Sequence, residues 1–221
     1  NKYEQLKKQE SIDGGEWTDV LPLKTMKGNL IEANSTDCGY VPPTPGDYET
    51  QYLTFDIVTP GTIVWKTTNR QNVKKISYSI NNGEWAKITS STSGVSFNVS
   101  VGDKVRFKGN NTAYGVDNFD YNTFDGSTAS FNVQGNIMSL TNGDSFASAT
   151  TISDYTFVSL FNNTKVVNAK NLILPATTLT SHCYSSMFQG CTSLITAPTL
   201  PAETLAENCY QSMFRETTIN I

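Results

Sequence analysis

Leu174-Pro175-Ala176-Thr177-Thr178-Leu179-Thr180-Ser181-His182-Cys183-Tyr184-Ser185-Ser186-Met187-Phe188 returns as Leu200-Pro201-Ala202-Glu203-Thr204-Leu205-Ala206-Glu207-Asn208-Cys209-Tyr210-Gln211-Ser212-Met213-Phe214, an offset of 26 residues from Leu174 to Leu200. Self-similarity at a fixed period of this size marks units that cannot bury their apolar faces alone and must stack to share a core. A fainter copy, Thr151-Ile152-Ser153-Asp154-Tyr155-Thr156-Phe157-Val158-Ser159-Leu160-Phe161, aligns 27 residues ahead of Thr178 to Phe188. The array is expected to start near residue 145, and about three copies fill residues 145–221.

Within a copy, apolar residues recur every fourth position: Leu179, Cys183 and Met187 in one, Leu205, Cys209 and Met213 in the next, with Tyr184, Phe188, Tyr210 and Phe214 alongside. That spacing predicts one apolar stripe on a short helix. Thr178 and Thr204 stand where N-caps belong, Thr204 with Glu207 spells a capping box, and Gly190 is placed to end a helix in a left-handed conformation. Leu194-Ile195-Thr196-Ala197-Pro198 then supplies a short strand. The aromatic and Met stripe could serve as a ligand box, but recurrence at the repeat period assigns it to the core.

Upstream the pattern changes. Leu53, Phe55 and Ile57 alternate, a Thr59-Pro60-Gly61 turn follows, and Ile63 and Trp65 continue in register. Ile76, Tyr78 and Ile80 lead into an Asn82-Gly83 hairpin, Trp85 and Ile88 follow, and Val95, Phe97 and Val99 are expected to meet Val105 and Phe107 across a Gly102-Asp103 turn. With Phe131 and Val133 this makes about seven short strands, the pattern of an immunoglobulin-like β-sandwich over residues 52–144. Residues 42–51, opened by Val41-Pro42-Pro43-Thr44-Pro45-Gly46, read as a proline-stiffened linker. Residues 1–41 read as a short N-terminal β segment, with strand-like pieces around Tyr3 to Glu10, Trp17 to Leu23 and Leu30 to Ala33. The fold class is thus mainly β with a small α/β part.

Composition excludes several functions. The 221 residues carry 16 basic and 20 acidic side chains for a net charge of −4, and the basic ones are spread thinly. Nucleic acid and anionic lipid both need concentrated positive charge, so neither is an expected partner. No apolar run approaches the roughly 20 residues of a membrane span. Abundant Ser, Thr and Asn beside scarce Lys, Glu and Arg point to an extracellular β-rich protein. Cys183 and Cys209 occupy the same place in successive copies and are expected to be free, stacked and buried, because neighbouring helices about 8–10 Å apart hold such pairs beyond disulfide reach. Cys38 has no evident partner, and the spacings expected of zinc ligands are absent.

The stretch 110–128 is the longest irregular segment. It carries Tyr114, Phe119, Tyr121 and Phe124 beside Asp117, Asp120 and Asp125. Aromatic rings beside carboxamides suit sugar recognition. The competing reading folds the loop over the sandwich edge or against the repeats. The three Asp residues lack the alternating spacing and closing Glu of a calcium loop. Trp85 lies in Ser79-Ile80-Asn81-Asn82-Gly83-Glu84-Trp85, which echoes Ser11-Ile12-Asp13-Gly14-Gly15-Glu16-Trp17. It is either a sugar platform or the anchor of a returning strand, and the anchor is favoured because large aromatics fill half-buried faces. Tyr114, Phe119, Tyr121, Phe124 and Trp85 are therefore the candidate ligand-binding residues. No catalytic, cofactor-binding or metal-binding residue is assigned. The single histidine, His182, points roughly 100° away from Cys183 on a helix, which excludes a Cys-His dyad and leaves an exposed polar position.

The copies, with Leu-Pro-Ala-Thr-Thr-Leu, Cys-Tyr and Met-Phe-Gln-Gly-Cys-Thr-Ser-Leu in sequence through Leu194, resemble the BspA-like leucine-rich repeats of bacterial surface proteins over roughly residues 145–221. The sandwich, ending in Gly135-Asn136-Ile137-Met138-Ser139-Leu140, resembles the module that commonly precedes such repeats. The resemblance implies export to the cell surface, outer membrane or medium. It also implies adhesion or binding to a host or bacterial surface protein, or to a glycan, without catalysis or cofactor, in a chain expected to be monomeric. Two departures stand out. The first copy lacks the Leu-Pro-Ala start and both cysteines, as a capping repeat would. The third reads Arg215-Glu216-Thr217-Thr218-Ile219-Asn220-Ile221 where Gly-Cys-Thr-Ser-Leu is expected, so the natural protein is expected to continue past Ile221.

Overall fold

The computed structural model divides the chain into two compact units, Asn1–Pro42 and Pro43–Ile221, and describes residues 47–219. The strands read around Tyr3 to Glu10, Trp17 to Leu23 and Leu30 to Ala33, the Ser11 to Trp17 turn, Cys38 and the proline run of 42–45 lie outside the described residues. The fold is mainly β. Among the described residues no helix is long and apolar enough to cross a membrane.

Alternation builds the strands. In β1 (Leu53–Thr59), β2 (Gly61–Thr67), β6 (Lys104–Gly109) and β8 (Ser130–Asn136), every second side chain is buried over at least part of the strand: Phe55 and Ile57, Ile63 and Trp65, Val105 and Phe107, Phe131 and Val133. β3 (Lys75–Ile80), β4 (Ala86–Thr89) and β5 (Val95–Val99) lie between β2 and β6, and the two-residue β7 (Asn122–Thr123) precedes β8. β9 (Val166–Asn168) and β10 (Leu172–Ile173) come from the first repeat. One sheet runs β10-β8-β1-β6-β3-β4, with β9 also paired to β8; the other runs β5-β2-β7.

Pairing departs from the expectation at β5. Val95–Val99 does not meet β6; it pairs antiparallel with β2, Ile63 opposite Phe97, while β6 pairs with β1 and β3. The Gly102-Asp103 turn thus carries the chain from one sheet to the other, as does the bend between β1 and β2. Gly102 has φ 83°, and its N–H donates to the Ile57 carbonyl (2.9 Å). The inner faces of both sheets contribute to one apolar cluster, where Phe124 lies edge-on to Phe55 (4.9 Å between centroids) and tilted against Trp65 (4.9 Å). Tyr78 of β3 stacks on Phe97 of β5 at 3.9 Å.

Part of the expected linker is folded. Asp47–Thr50 form a 3-10 turn, the Asn136 N–H donates to the Gln51 carbonyl (2.8 Å), and the Asn136 amide donates to the Glu49 carbonyl (3.0 Å). After β8 the chain makes the four-residue helix α1 (Ser139–Asn142), where the Ser139 hydroxyl receives the Leu53 N–H and donates to the Phe107 carbonyl, both at 2.9 Å.

Among the described residues the repeats contain no α-helix. The segment expected to be helical is a run of four-residue turns in which every fourth residue is left-handed: Tyr155, Ser159 and Asn163; His182, Ser186 and Gly190; Asn208, Ser212 and Glu216, with φ between 52° and 72°. Gly190 is left-handed as expected, but it belongs to this rhythm and caps no helix. Thr178 and Thr204 are not N-caps; they pair with each other in a parallel bridge.

The physical reason lies in the backbone bonds. N–H groups alternate between the turn's own carbonyl three residues back, as in Ser185 to His182 (3.1 Å), and the next copy, as in Tyr184 to Cys209 (3.0 Å) and Phe188 to Met213 (2.9 Å). An α-helix consumes its interior N–H groups internally and leaves none for a neighbour. Ser181, Ser185 and Ser186 also favour turns over helix. A spacing of four apolar residues then describes one turn period, two inward side chains per turn.

Stacked copies put equivalent rings over one another. One column runs Trp65, Tyr114, Phe157, Tyr184, Tyr210 with centroid separations of 5.6, 6.2, 5.9 and 5.8 Å. Another runs Phe55, Phe124, Phe161, Phe188, Phe214 at 4.9, 6.0, 5.1 and 5.8 Å. Such pairs add about 0.5–1.5 kcal/mol each beyond their buried area. Both columns begin in the sheets and end in the third copy, so residues 52–144 and the repeats share a single core.

Candidate functional site

The loop over 110–128 supplies the second ring of each column. Tyr114 and Phe124 are fully buried, and neither presents a face to solvent. Their assignment as ligand-binding residues is corrected by this burial: they are core. The Tyr114 N–H donates to the Thr156 carbonyl (2.9 Å) and the Phe124 N–H to the Leu160 carbonyl (2.9 Å). Thr156 and Leu160 are the equivalents of Cys183 and Met187, whose carbonyls receive N–H groups from the first copy. The loop therefore bonds to the first copy as the first copy bonds to the second. Gly115 permits the approach, since a Cβ there would overlap the Val158 side chain and crowd the Tyr155 carbonyl at 3.1 Å. Burial pushes the Tyr114 hydroxyl up, and that hydroxyl donates to the Leu140 carbonyl (2.6 Å).

Phe119 stands at the loop tip, 86% exposed, next to Val116 at 60%. Tyr121 is half-buried, and its carbonyl takes the Thr68 N–H (3.0 Å). The structure thus separates the four loop aromatics into two core rings, one exposed tip and one residue on the flank. The three aspartates do not converge. Asp117 receives the N–H groups of Phe119 and Asp120 (both 2.7 Å), Asp120 receives the amides of Asn69 (2.7 Å) and Asn72 (2.9 Å), and Asp125 pairs with Lys66 (3.1 Å). Among the described residues no group of three or more His, Cys, Asp or Glu could hold a metal ion.

Trp85 lies outside the core, half-buried on the outer face of the larger sheet. Its ring meets the edge of Tyr52 (5.1 Å) and lies under the Lys108 ammonium (4.4 Å) and the Arg106 guanidinium (5.2 Å). β6 turns Lys104, Arg106 and Lys108 to this face, one every second residue. Lys108 bonds both oxygens of Asp144 (2.8 and 3.1 Å), which also receives the Tyr52 hydroxyl (2.7 Å). The Lys108 bond, followed by that of Tyr52, holds the Asp144 carboxyl below the usual range. Burial, with Asp144 alongside, raises Tyr52. Sequence reasoning named Trp85 and missed Tyr52, Arg106 and Lys108; the outward alternation of β6 is the signal that finds them.

In the repeats Cys183, Cys191 and Cys209 are free and buried. Burial pushes the Cys183 thiol up to about 11, the wrong direction for a nucleophile at neutral pH. His182 is buried, contrary to the expected exposed position. It stacks on Tyr155 (4.8 Å), contacts the Ser181 hydroxyl through Nδ1 (2.7 Å) and the Asn208 amide through Nε2 (3.1 Å), and so belongs to a third column across the copies.

The third copy differs from the second in what covers it. Leu174 and Leu179 are 1% and 4% exposed, whereas their equivalents Leu200 and Leu205 are 40% and 62% exposed, and Tyr210 and Phe214 are only partly buried. Among the described residues, the backbone N–H groups of Asn208, Tyr210, Ser212, Phe214 and Glu216 have no acceptor, while their counterparts in the second copy all donate to the third. In comparisons with known proteins, no family model, no curated protein and no solved structure matches the chain.

Proposed function

We propose that this chain is a binding module of an exported cell-surface protein, an immunoglobulin-like β-sandwich followed by a short leucine-rich-repeat solenoid of the BspA-like kind. It works by adhesion or protein–protein interaction through the repeats rather than by catalysis. The observation that carries the reading is the stacking of the copies through their backbones and rings. N–H groups of the first copy bond to carbonyls of the second and those of the second to the third, with equivalent rings over one another, and such an array offers a partner its flank, where residues such as Ile195 are exposed. Export rests on the Ser, Thr and Asn-rich composition and on the resemblance of the repeats.

The glycan reading through the 110–128 loop loses Tyr114 and Phe124 to the core and retains only Phe119 and Tyr121. Binding of fractionated surface proteins to the immobilised chain distinguishes the two. Ile195→Asp, at an exposed position of the second copy, is expected to weaken capture, and Phe119→Ala to leave it intact. Capture that survives Ile195→Asp and fails with Phe119→Ala would overturn the proposal in favour of the loop.

A further inference from the structure

A cleft of about 280 Å³ opens on the outer face of the larger sheet, lined by Tyr52, Thr54, Asn82, Lys104, Arg106 and Gln134 among others, none of them acidic. We propose that it binds a sugar acid, one pyranose ring bearing a carboxylate, with Arg106 as the carboxylate receptor. This site is independent of the repeat face and stands or falls separately from it.

The charge pattern selects Arg106. Of the three basic residues that β6 turns outward, Lys104 is paired with Asp56 (3.0 Å) and Lys108 with Asp144 (2.8 Å). Arg106, between them, has no carboxylate within ion-pair distance among the described residues, and its Nε is buried without a partner. A half-buried guanidinium left in this state is completed by an anion, and its planar fork matches a carboxylate. It is already held in place. Nη2 donates to the Ser79 hydroxyl (3.1 Å), which donates in turn to the Gly83 carbonyl (2.6 Å), and the guanidinium packs by the rings of Trp85 (5.2 Å) and Tyr52 (5.8 Å). Little ordering is left to be done on binding.

The remaining lining selects a sugar. The side-chain amides of Gln134 and Asn82 line the cleft and have no hydrogen bond to another described residue, so both are available as paired donors and acceptors for ring hydroxyls. A phosphate would favour several cations or a nest of backbone N–H groups; a single unpaired guanidinium flanked by carboxamides fits a singly charged, hydroxyl-rich ligand. The volume is just below the range of pockets for drug-sized ligands and suits one ring.

Titration calorimetry with glucuronate, glucose and inorganic phosphate at low salt tests this on the full chain. Glucuronate is expected to bind at millimolar concentration, glucose and phosphate at least about tenfold more weakly, the contribution of one charge-assisted hydrogen bond. Arg106→Gln is expected to remove the preference for glucuronate over glucose. Gln134→Ala, on the outward-facing side of β8, should weaken glucuronate and glucose together. Should Arg106→Gln fail to fold, amide chemical shifts of the unaltered protein decide: glucuronate must perturb Arg106, Gln134 and Asn82. Equal binding of glucuronate and glucose, stronger binding of phosphate, no binding at all, or shifts confined to the 115–121 tip would each overturn the proposal.

Discussion

Phe161, Phe188 and Phe214 occupy one position in the three copies, and alanine at each tests whether the column is continuous. Phe188 is fully buried between Phe161 (5.1 Å) and Phe214 (5.8 Å). Phe161 is fully buried between Phe188, the strand residue Phe55 (5.9 Å) and the loop residue Phe124 (6.0 Å). Removing either ring costs about 3–5 kcal/mol, the transfer term plus the cavity left behind. Phe214 has one ring neighbour and is partly exposed, so its removal costs about 1–2 kcal/mol. In thermal unfolding, about 4 kcal/mol lowers Tm by roughly 10 °C for a chain of this size.

Urea unfolding followed by far-UV circular dichroism and by tryptophan fluorescence, in a Trp17→Phe background, gives the decisive comparison. Trp65 and Trp85 report only on the sheets. With a shared core, Phe188→Ala shifts both transitions by the same amount although it lies in the repeats. A fluorescence midpoint left unmoved while the dichroism midpoint falls would refute the shared core. A Phe214→Ala loss equal to that of Phe188→Ala would refute the open third copy.

Three further outcomes follow from named contacts. Gly115→Ala forces the loop away from Val158 and Tyr155 and is expected to destabilise by about 1–3 kcal/mol, measured as a lower urea midpoint with unchanged slope. Tyr184 has a buried hydroxyl without a partner; Tyr184→Phe is expected to be neutral or to stabilise by up to about 1 kcal/mol in the same assay. Cys183 and Tyr210 have proton affinities raised by burial, to about 11 and about 12 against ordinary values of 9.0 and 10.0. Above pH 9 the unfolded chain loses these protons first, so stability is full below that value and declines as pH rises towards 12. Urea midpoints from pH 8 to 11 should fall, and a flat profile would contradict the burial.

Strand positions are legible in the sequence because the alternation of Leu53, Phe55 and Ile57, of Ile63 and Trp65, and of Val105 and Phe107 is a local property of a half-buried strand. Partners are not. Val95–Val99 and Val105–Phe107 are adjacent in the chain and read as a hairpin, but a turn that passes between sheets uses the same Gly-Asp chemistry as one that stays within a sheet. The repeat period shows that the copies stack. Their local conformation is hidden, because apolar residues four apart suit both a helix and a chain of four-residue turns, and only the N–H bonds between copies separate the two. Tyr114 and Phe124 were ambiguous for a related reason: aromatics in an irregular segment look alike whether they face a ligand or cap a stack. Arg106 is visible only once β6 has a face and its neighbours have carboxylates.

Through Tyr114, Gly115 and Phe124 the 110–128 loop is bonded to the first copy as a structural cap of the repeat stack. Amide hydrogen exchange by NMR tests it residue by residue. The N–H groups of Tyr114, Gly115 and Phe124, bonded to the carbonyls of Thr156, Tyr155 and Leu160, are expected to be protected as strongly as those of Phe157 and Phe161. Exchange of these three as fast as that of Asn118 at the exposed tip would contradict the account.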